Sequence, residues 1–227
     1  YNMFSYSNGG FLMKKILFLI CLMLIGANSY AADCESSSQC VIIGKKLIDQ
    51  KEYKSAIECF DSAISMDEDD EFAYAFRARA KYYIKDYEGA VCDAEKSLKF
   101  RKTSLAYNAR ASVKLVNGDV QGAIDDLTNA VELNPNYMQC YEMRARANIE
   151  LENYVEALED AGKAIKLEPK YSENYEVKAR AEMGLKDYRS ASRDFLIASR
   201  MYKVDGNRKS SRKMQNLAKY CKRKVKW

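Results

Sequence analysis

The 227-residue chain contains no histidine, 2 prolines, 10 glycines and a single tryptophan. Without histidine it lacks the commonest general acid–base and the commonest nitrogen ligand for metals. Sparse proline and glycine leave few of the turn signals that hairpins and all-β folds need. A remainder rich in Ala, Lys, Glu, Leu and Ile favours helix. The aromatic content rests on 17 tyrosines, which suit half-buried surfaces where the ring packs and the hydroxyl stays wet. The chain also lacks a Gly-rich phosphate loop, a serine-nucleophile elbow, a Cys-x-x-Cys and any zinc-like cysteine spacing. Catalysis is therefore not expected, and no cofactor or metal is implied.

One long apolar run exists, from Ile16 to Ile25, preceded by Met13-Lys14-Lys15 and followed by Ser29-Tyr30-Ala31. It falls short of the ~20 residues that span a bilayer. Its basic start and small-residue end read as a secretory signal peptide cleaved after Ala31, which predicts a periplasmic or secreted protein. Residues 1–31 are thus upstream sequence and signal, and 32–36 a short lead-in segment. Asp33 stands before Cys34 where lipid attachment needs a small residue, so lipidation is not expected. Export leads to an oxidising compartment. There Cys34 and Cys40 are close enough to form a disulfide fastening the lead-in segment to the first helix. Cys59, Cys92, Cys140 and Cys221 fall in predicted helices and read as small buried hydrophobes.

What the chain has in abundance is self-similarity. Tyr53, Tyr87, Val120, Tyr154 and Tyr188 recur at spacings of 34, 33, 34 and 34, each after a short polar turn. Alanine follows three residues later every time, at Ala56, Ala90, Ala123, Ala157 and Ala191. Small residues stand nine before (Gly44, Ala78, Ala111, Ala145, Ala179) and ten after (Ala63, Ser97, Ala130, Ala164, Ala198). Each period holds two stretches of helical apolar spacing, and small side chains are needed where paired helix backbones approach closely. No pair can bury its apolar face alone, so neighbours must stack.

This unit resembles the tetratricopeptide repeat, a 34-residue pair of antiparallel helices. The resemblance implies an all-α, right-handed superhelical solenoid of five helix pairs, at 37–70, 71–103, 104–137, 138–171 and 172–205. A basic capping helix is expected within 206–227, where Met214, Leu217, Ala218, Cys221 and Val225 form an apolar stripe. Val120 departs from the turn aromatic, Glu68 and Lys203 stand where proline is usual, and the second repeat is one residue short. That deletion predicts a local change in stacking.

Comparing repeats exposes a paired column. Arg77, Arg110, Arg144 and Lys178 each precede, by sixteen residues, Asp93, Asp126, Asp160 and Asp194, while the first repeat has Ile43 and Cys59 instead. These read as salt bridges tying the two helices of a pair. Two positions further, Lys45, Arg79, Arg146 and Arg180 recur, interrupted by Ser112. In the family this position looks into the concave groove, and the resemblance also places Phe72, Tyr82, Tyr83, Asn108, Leu115 and Ile149 along it. Glu142, Glu150, Glu173 and Glu176 lie near enough to offset part of that positive charge. The groove so composed implies a protein or peptide partner, taken as an extended or acidic segment. The Lys–Asn carboxylate clamp of some relatives is incomplete here, with Val41 and Lys45 at the matching positions, and is not carried over. Residues 200–227 hold eleven positive charges and one negative. An alternative role is therefore docking of the C-terminal helix on an anionic envelope or membrane surface. Nucleic acid is disfavoured by export.

Overall fold

Each helix pair is closed by a residue that leaves the right-handed region. Lys51, Lys85, Gly118, Glu152, Lys186 and Gly206 all have φ between 60° and 79°. The next amide then reaches back five residues, as in Glu52 N–H to the Leu47 carbonyl at 2.8 Å and Asp187 N–H to the Glu182 carbonyl at 2.9 Å. This is the Schellman closure that ends a helix in a left-handed residue. The residue whose amide reaches back, one place after the left-handed one, also stands at the start of the following helix. Asp86, Asp119, Asp187 and Asn207 each cap it through a side-chain oxygen on the amide three residues on. Turn and cap together fix the tight reversal that the repeat needs.

A computed structural model describes residues 34–225; the expected signal peptide and its cleavage point lie outside them. The described residues form eleven helices, arranged as a helical solenoid. They are α1 (Ser37–Asp49), α2 (Tyr53–Met66), α3 (Glu71–Tyr83), α4 (Tyr87–Phe100), α5 (Ser104–Val116), α6 (Val120–Leu133), α7 (Met138–Glu150), α8 (Tyr154–Leu167), α9 (Ser172–Gly184), α10 (Tyr188–Val204) and α11 (Arg208–Lys224). Every helix packs on the next. The odd helices α1, α3 and α5, and again α7 and α9, also touch across repeats. Odd helices therefore line the inner side and even helices the outer. Among these inner contacts those of α3 with α5 are the most extensive, consistent with the three-residue link, Arg101 to Thr103, that replaces the four-residue links between the other repeats. α5 and α7 meet instead through side chains, with the Asn108 amide donating to Cys140 Sγ at 3.4 Å and Met143 Sδ at 3.3 Å.

All fifteen positions of the three small-residue columns are buried. At Gly44 the need is absolute, because a Cβ there would stand 2.5 Å from the Phe60 ring. The first repeat, lacking the ion pair, is built differently. Cys40 occupies the column that holds Tyr74, Tyr107, Tyr141 and Tyr175 elsewhere, and it is bonded to Cys34 across a Cα–Cα distance of 5.2 Å. Cys59 fills the aspartate position and is fully buried. Burial pushes the Cys59 thiol up to about 11 and that of Cys140 up to about 12, so both stay protonated and inert. Cys92 corrects the expectation of four buried thiols: it is exposed on the outer face of α4. At the other end α11 lays Met214, Ala218 and Cys221 against Phe195, Ala198 and Tyr202 of α10, covering the last pair. Among the described residues no helix is long and apolar enough to cross a membrane.

Candidate protein-interaction groove

The paired column is a ladder of ion pairs between the helices of each repeat. Arg77 binds Asp93 through Nε at 2.8 Å and Nη2 at 2.6 Å. Arg110 grips Asp126 at 2.9 and 2.7 Å, and Arg144 grips Asp160 at 2.8 Å twice. Lys178 contacts Asp194. The aspartates are buried, and two-pronged charge-assisted bonds offset their desolvation. Lys81 and Lys114 add a second cation to Asp93 and Asp126, at 2.8 and 2.9 Å. The next repeat has Asn148 in that column and the last has Glu182, so this column passes from cationic through neutral to acidic along the chain, and Arg77 also binds Asp61 at 2.6 Å. Cation–π contacts extend the ladder inward, with Arg77 and Lys96 over the Tyr74 ring at 5.3 and 4.7 Å. These charges are occupied in holding the repeats and are not available to a ligand.

The inner column that the sequence singled out divides into two halves. On the N-terminal side Lys45, Phe72 and Arg79 come together in one open groove of about 510 Å³, with Val41, Phe76, Leu105 and Tyr137 in its walls. Lys45 Nζ lies 5.1 Å from the Phe76 ring centroid. Neither Lys45 nor Arg79 makes an ion pair among the described residues. Asp70 also reaches the groove, but its oxygens are taken by Ser37 Oγ at 2.5 Å and by the amides of Phe72 and Ala73. Burial raises the Tyr137 phenol to about 12, against the lowering pull of nearby Arg79, so it remains a neutral donor.

On the C-terminal side the cations are answered from within. Arg146 pairs with Glu142 one turn earlier, and Arg180 donates to Glu176 at 2.7 Å. The Tyr202 hydroxyl adds a bond to Glu176 at 2.9 Å. Burial works to raise Glu176, but Arg180 and Tyr202 hold it below the usual carboxylate range, so the cluster is ionised and self-satisfied. The remaining residues of the expected groove are dispersed. Tyr83 stacks on Tyr53 with centroids 4.6 Å apart, and Tyr82 packs against Tyr87 at 5.8 Å, both at the helix-pair turns. Asn108 is buried beneath α7, and Ile149 packs into the cluster of Ala145, Ala157 and Val177. Phe76, Leu105 and Tyr137 were not singled out by sequence. Phe76 sits one turn after Phe72 and three residues before Arg79, a spacing that would have placed it on the same face.

Comparison with known proteins agrees with this architecture. Residues 40–70 and 108–172 match models described as tetratricopeptide repeat. These two stretches are tetratricopeptide repeats. A stretch of 98 residues is 26% identical to TPR repeat-containing protein MJ1428 of Methanocaldococcus jannaschii, covering 43% of this chain and only 17% of that protein. Among solved structures, TTC0263, a thermophilic TPR protein of Thermus thermophilus, superposes with a TM-score of 0.65 at 15% identity, over 80% of this chain and 98% of the other. The pilF structure of Pseudomonas aeruginosa gives 0.63 at 16% identity, over 79% and 89%. YrrB, described as a TPR protein with an unusual peptide-binding site, gives 0.57 at 16% identity, over 89% and 97%. At such identities the likeness is one of fold.

Proposed function

We propose that this protein is a non-catalytic binding module that holds an extended segment of a partner protein in the N-terminal half of its inner groove. The observation that carries the reading is the contrast between the two halves. Among the described residues Lys45 and Arg79 stand without carboxylate partners beside Phe72, Phe76, Leu105 and Tyr137, whereas Arg146 and Arg180 are consumed by Glu142 and Glu176. A cation pair set in apolar walls selects a peptide that offers an acidic group beside an aromatic or aliphatic side chain. The C-terminal half contributes shape and polarity, its two column arginines already paired. Tyr82, Asn108 and Ile149 support the inner helices, while Tyr83, 44% exposed and near Tyr137, stays open to the peptide. The processing segment ahead of Ala32 and the Cys34–Cys40 disulfide favour work in an oxidising space outside the cytoplasm.

The test is selection from a displayed library of random linear peptides, run on the protein and on a Phe72→Ser variant of equal helical content. Enrichment of acidic–aromatic sequences by the first and not by the second is the expected result. Enrichment unchanged by Phe72→Ser, or of basic sequences, would overturn the reading.

A further inference from the structure

A second groove lies far from the first, on the outer side of the last repeat where α10 and α11 diverge. Its floor is Leu196 and Ile197, and Arg189, Arg193, Arg200 and Lys222 stand around the rim, in a volume of about 620 Å³. Leu196 is 42% exposed, although it sits between charged neighbours on a helix that is otherwise well buried on its inner side. Arg189, Arg200 and Lys222 make no ion pair among the described residues. Arg193 lies 3.9 Å from an aspartate that is already bound to Lys178. Three unpaired cations and the loosely paired Arg193 thus surround an apolar strip that no acidic residue lines among the described residues. Met214, Ala218 and Cys221 of α11 already cover the last pair, and Lys222 and Val225 continue the flank of that face into the groove.

The shape bears on what could fill it. Arg189 and Arg200 are eleven residues apart on one helix, a run of about 16 Å at 1.5 Å per residue. The apolar strip, Leu196, Ile197 and Val225, lies between two helices with cations on both sides, an elongated seat rather than a broad apolar face for a bilayer. A rod of helical diameter can lie along it. We infer that the α10–α11 groove docks a short amphipathic helix of a partner protein, with aliphatic residues on one face and acidic residues on its flanks. Apolar ridge meets Leu196 and Ile197, and carboxylates meet Arg189, Arg193, Arg200 and Lys222, giving both burial and charge complementarity. This site is separate from Lys45 and Arg79, so the protein would join two partners, one at each end of the solenoid.

The probe is a fluorescent, helix-stapled peptide of about 15 residues with Leu at one face and Glu on the flanks. A scrambled peptide of equal composition and vesicles of phosphatidylglycerol and phosphatidylcholine serve as comparisons. Binding to the full chain is followed by anisotropy, with a photo-leucine version of the probe locating the contact. Saturable binding of the stapled helix, crosslinks to α10, and at least a tenfold loss in both Leu196→Asp and Arg193→Glu are expected. Lys209→Glu with Lys213→Glu, on the outer face of α11, should change affinity less than twofold. Equal binding of the scrambled peptide, or a Leu196→Asp variant that binds as well as the parent, would overturn the inference. So would vesicle binding that needs Leu196 while the helix probe fails, since the surface would then belong to a membrane.

Discussion

The ladder of buried ion pairs makes a quantitative claim that can be tested at Arg144 and Asp160. The two side chains are 14% and 5% exposed and share two hydrogen bonds at 2.8 Å. Asp160→Ala leaves the guanidinium with one remaining partner, Thr128 Oγ1 at 2.9 Å. Arg144→Met leaves a buried carboxylate with none. Breaking one side of such a pair costs about 3–5 kcal/mol, a large share of the roughly 5–15 kcal/mol that a domain of this size commands. Removing both partners leaves no stranded charge, so the double variant should lose much less than the sum of the singles. A coupling energy of at least about 2 kcal/mol follows. The pair Glu142–Arg146, 12% and 46% exposed, is more open to solvent and should couple more weakly, by about 1 kcal/mol or less. Urea unfolding followed by helical circular dichroism gives all the values. Because a repeat array can open in steps, hydrogen exchange of α7 and α8 should report the same order. Equal coupling in the two pairs, or coupling below about 0.5 kcal/mol at Arg144, would refute the account of the ladder.

Three further predictions concern single positions. Glu182 is buried with one carboxylate oxygen unbonded. Burial and the facing Asp194 and Asp187 raise it above its ordinary value against the opposing pull of Lys178. The folded state therefore holds this proton more tightly than the unfolded chain, and stability should fall as pH rises from the ordinary glutamate range through the raised value. Glu182→Gln should flatten that decline in thermal melts; an unchanged pH slope would contradict it. Lys85 has φ 67° and an exposed side chain, so Lys85→Gly should stabilise by about 1 kcal/mol in urea titrations, the strain of a left-handed non-glycine residue being relieved. Brief maleimide treatment of the native protein, read by peptide mass, should modify Cys92 well ahead of Cys59, Cys140 and Cys221; similar rates at all four would mean the helix faces are assigned wrongly.

The repeat architecture was legible because it depends on columns, and columns are what a periodic chain displays. Small residues at three fixed offsets from the turn residue foretold the buried seams, and arginine and aspartate sixteen residues apart foretold the ladder. Cys92 shows the same logic neglected. Its equivalents in the other repeats are Glu58, Asp125, Glu159 and Arg193, a solvent-facing column, whereas Cys59 sits one place on, in the column of the buried aspartates. The left-handed turn residues were hidden because four of six are lysine or glutamate rather than glycine; the fold imposes the geometry and local preference yields. The groove was the least legible feature. Recurrence marked Lys45, Arg79, Arg146 and Arg180 as one set, but their availability depends on whether an acid stands one helical turn earlier. Glu142 and Glu176 do so for the last two, while Val41 and Ala75 hold that place for the first two. Tyr137 joins the site from a linker two repeats away, a contact set by solenoid curvature.

The central claim is that ligand recognition rests on the N-terminal half of the inner groove, and the most direct measurement compares two double variants against one selected peptide. Lys45→Met with Arg79→Met removes the open cations; Arg146→Met with Arg180→Met removes the internally paired ones. Titration calorimetry should show at least a tenfold rise in Kd for the first and less than a twofold change for the second, with both variants as helical as the parent. A larger loss in the second, or equal losses in both, would contradict the account.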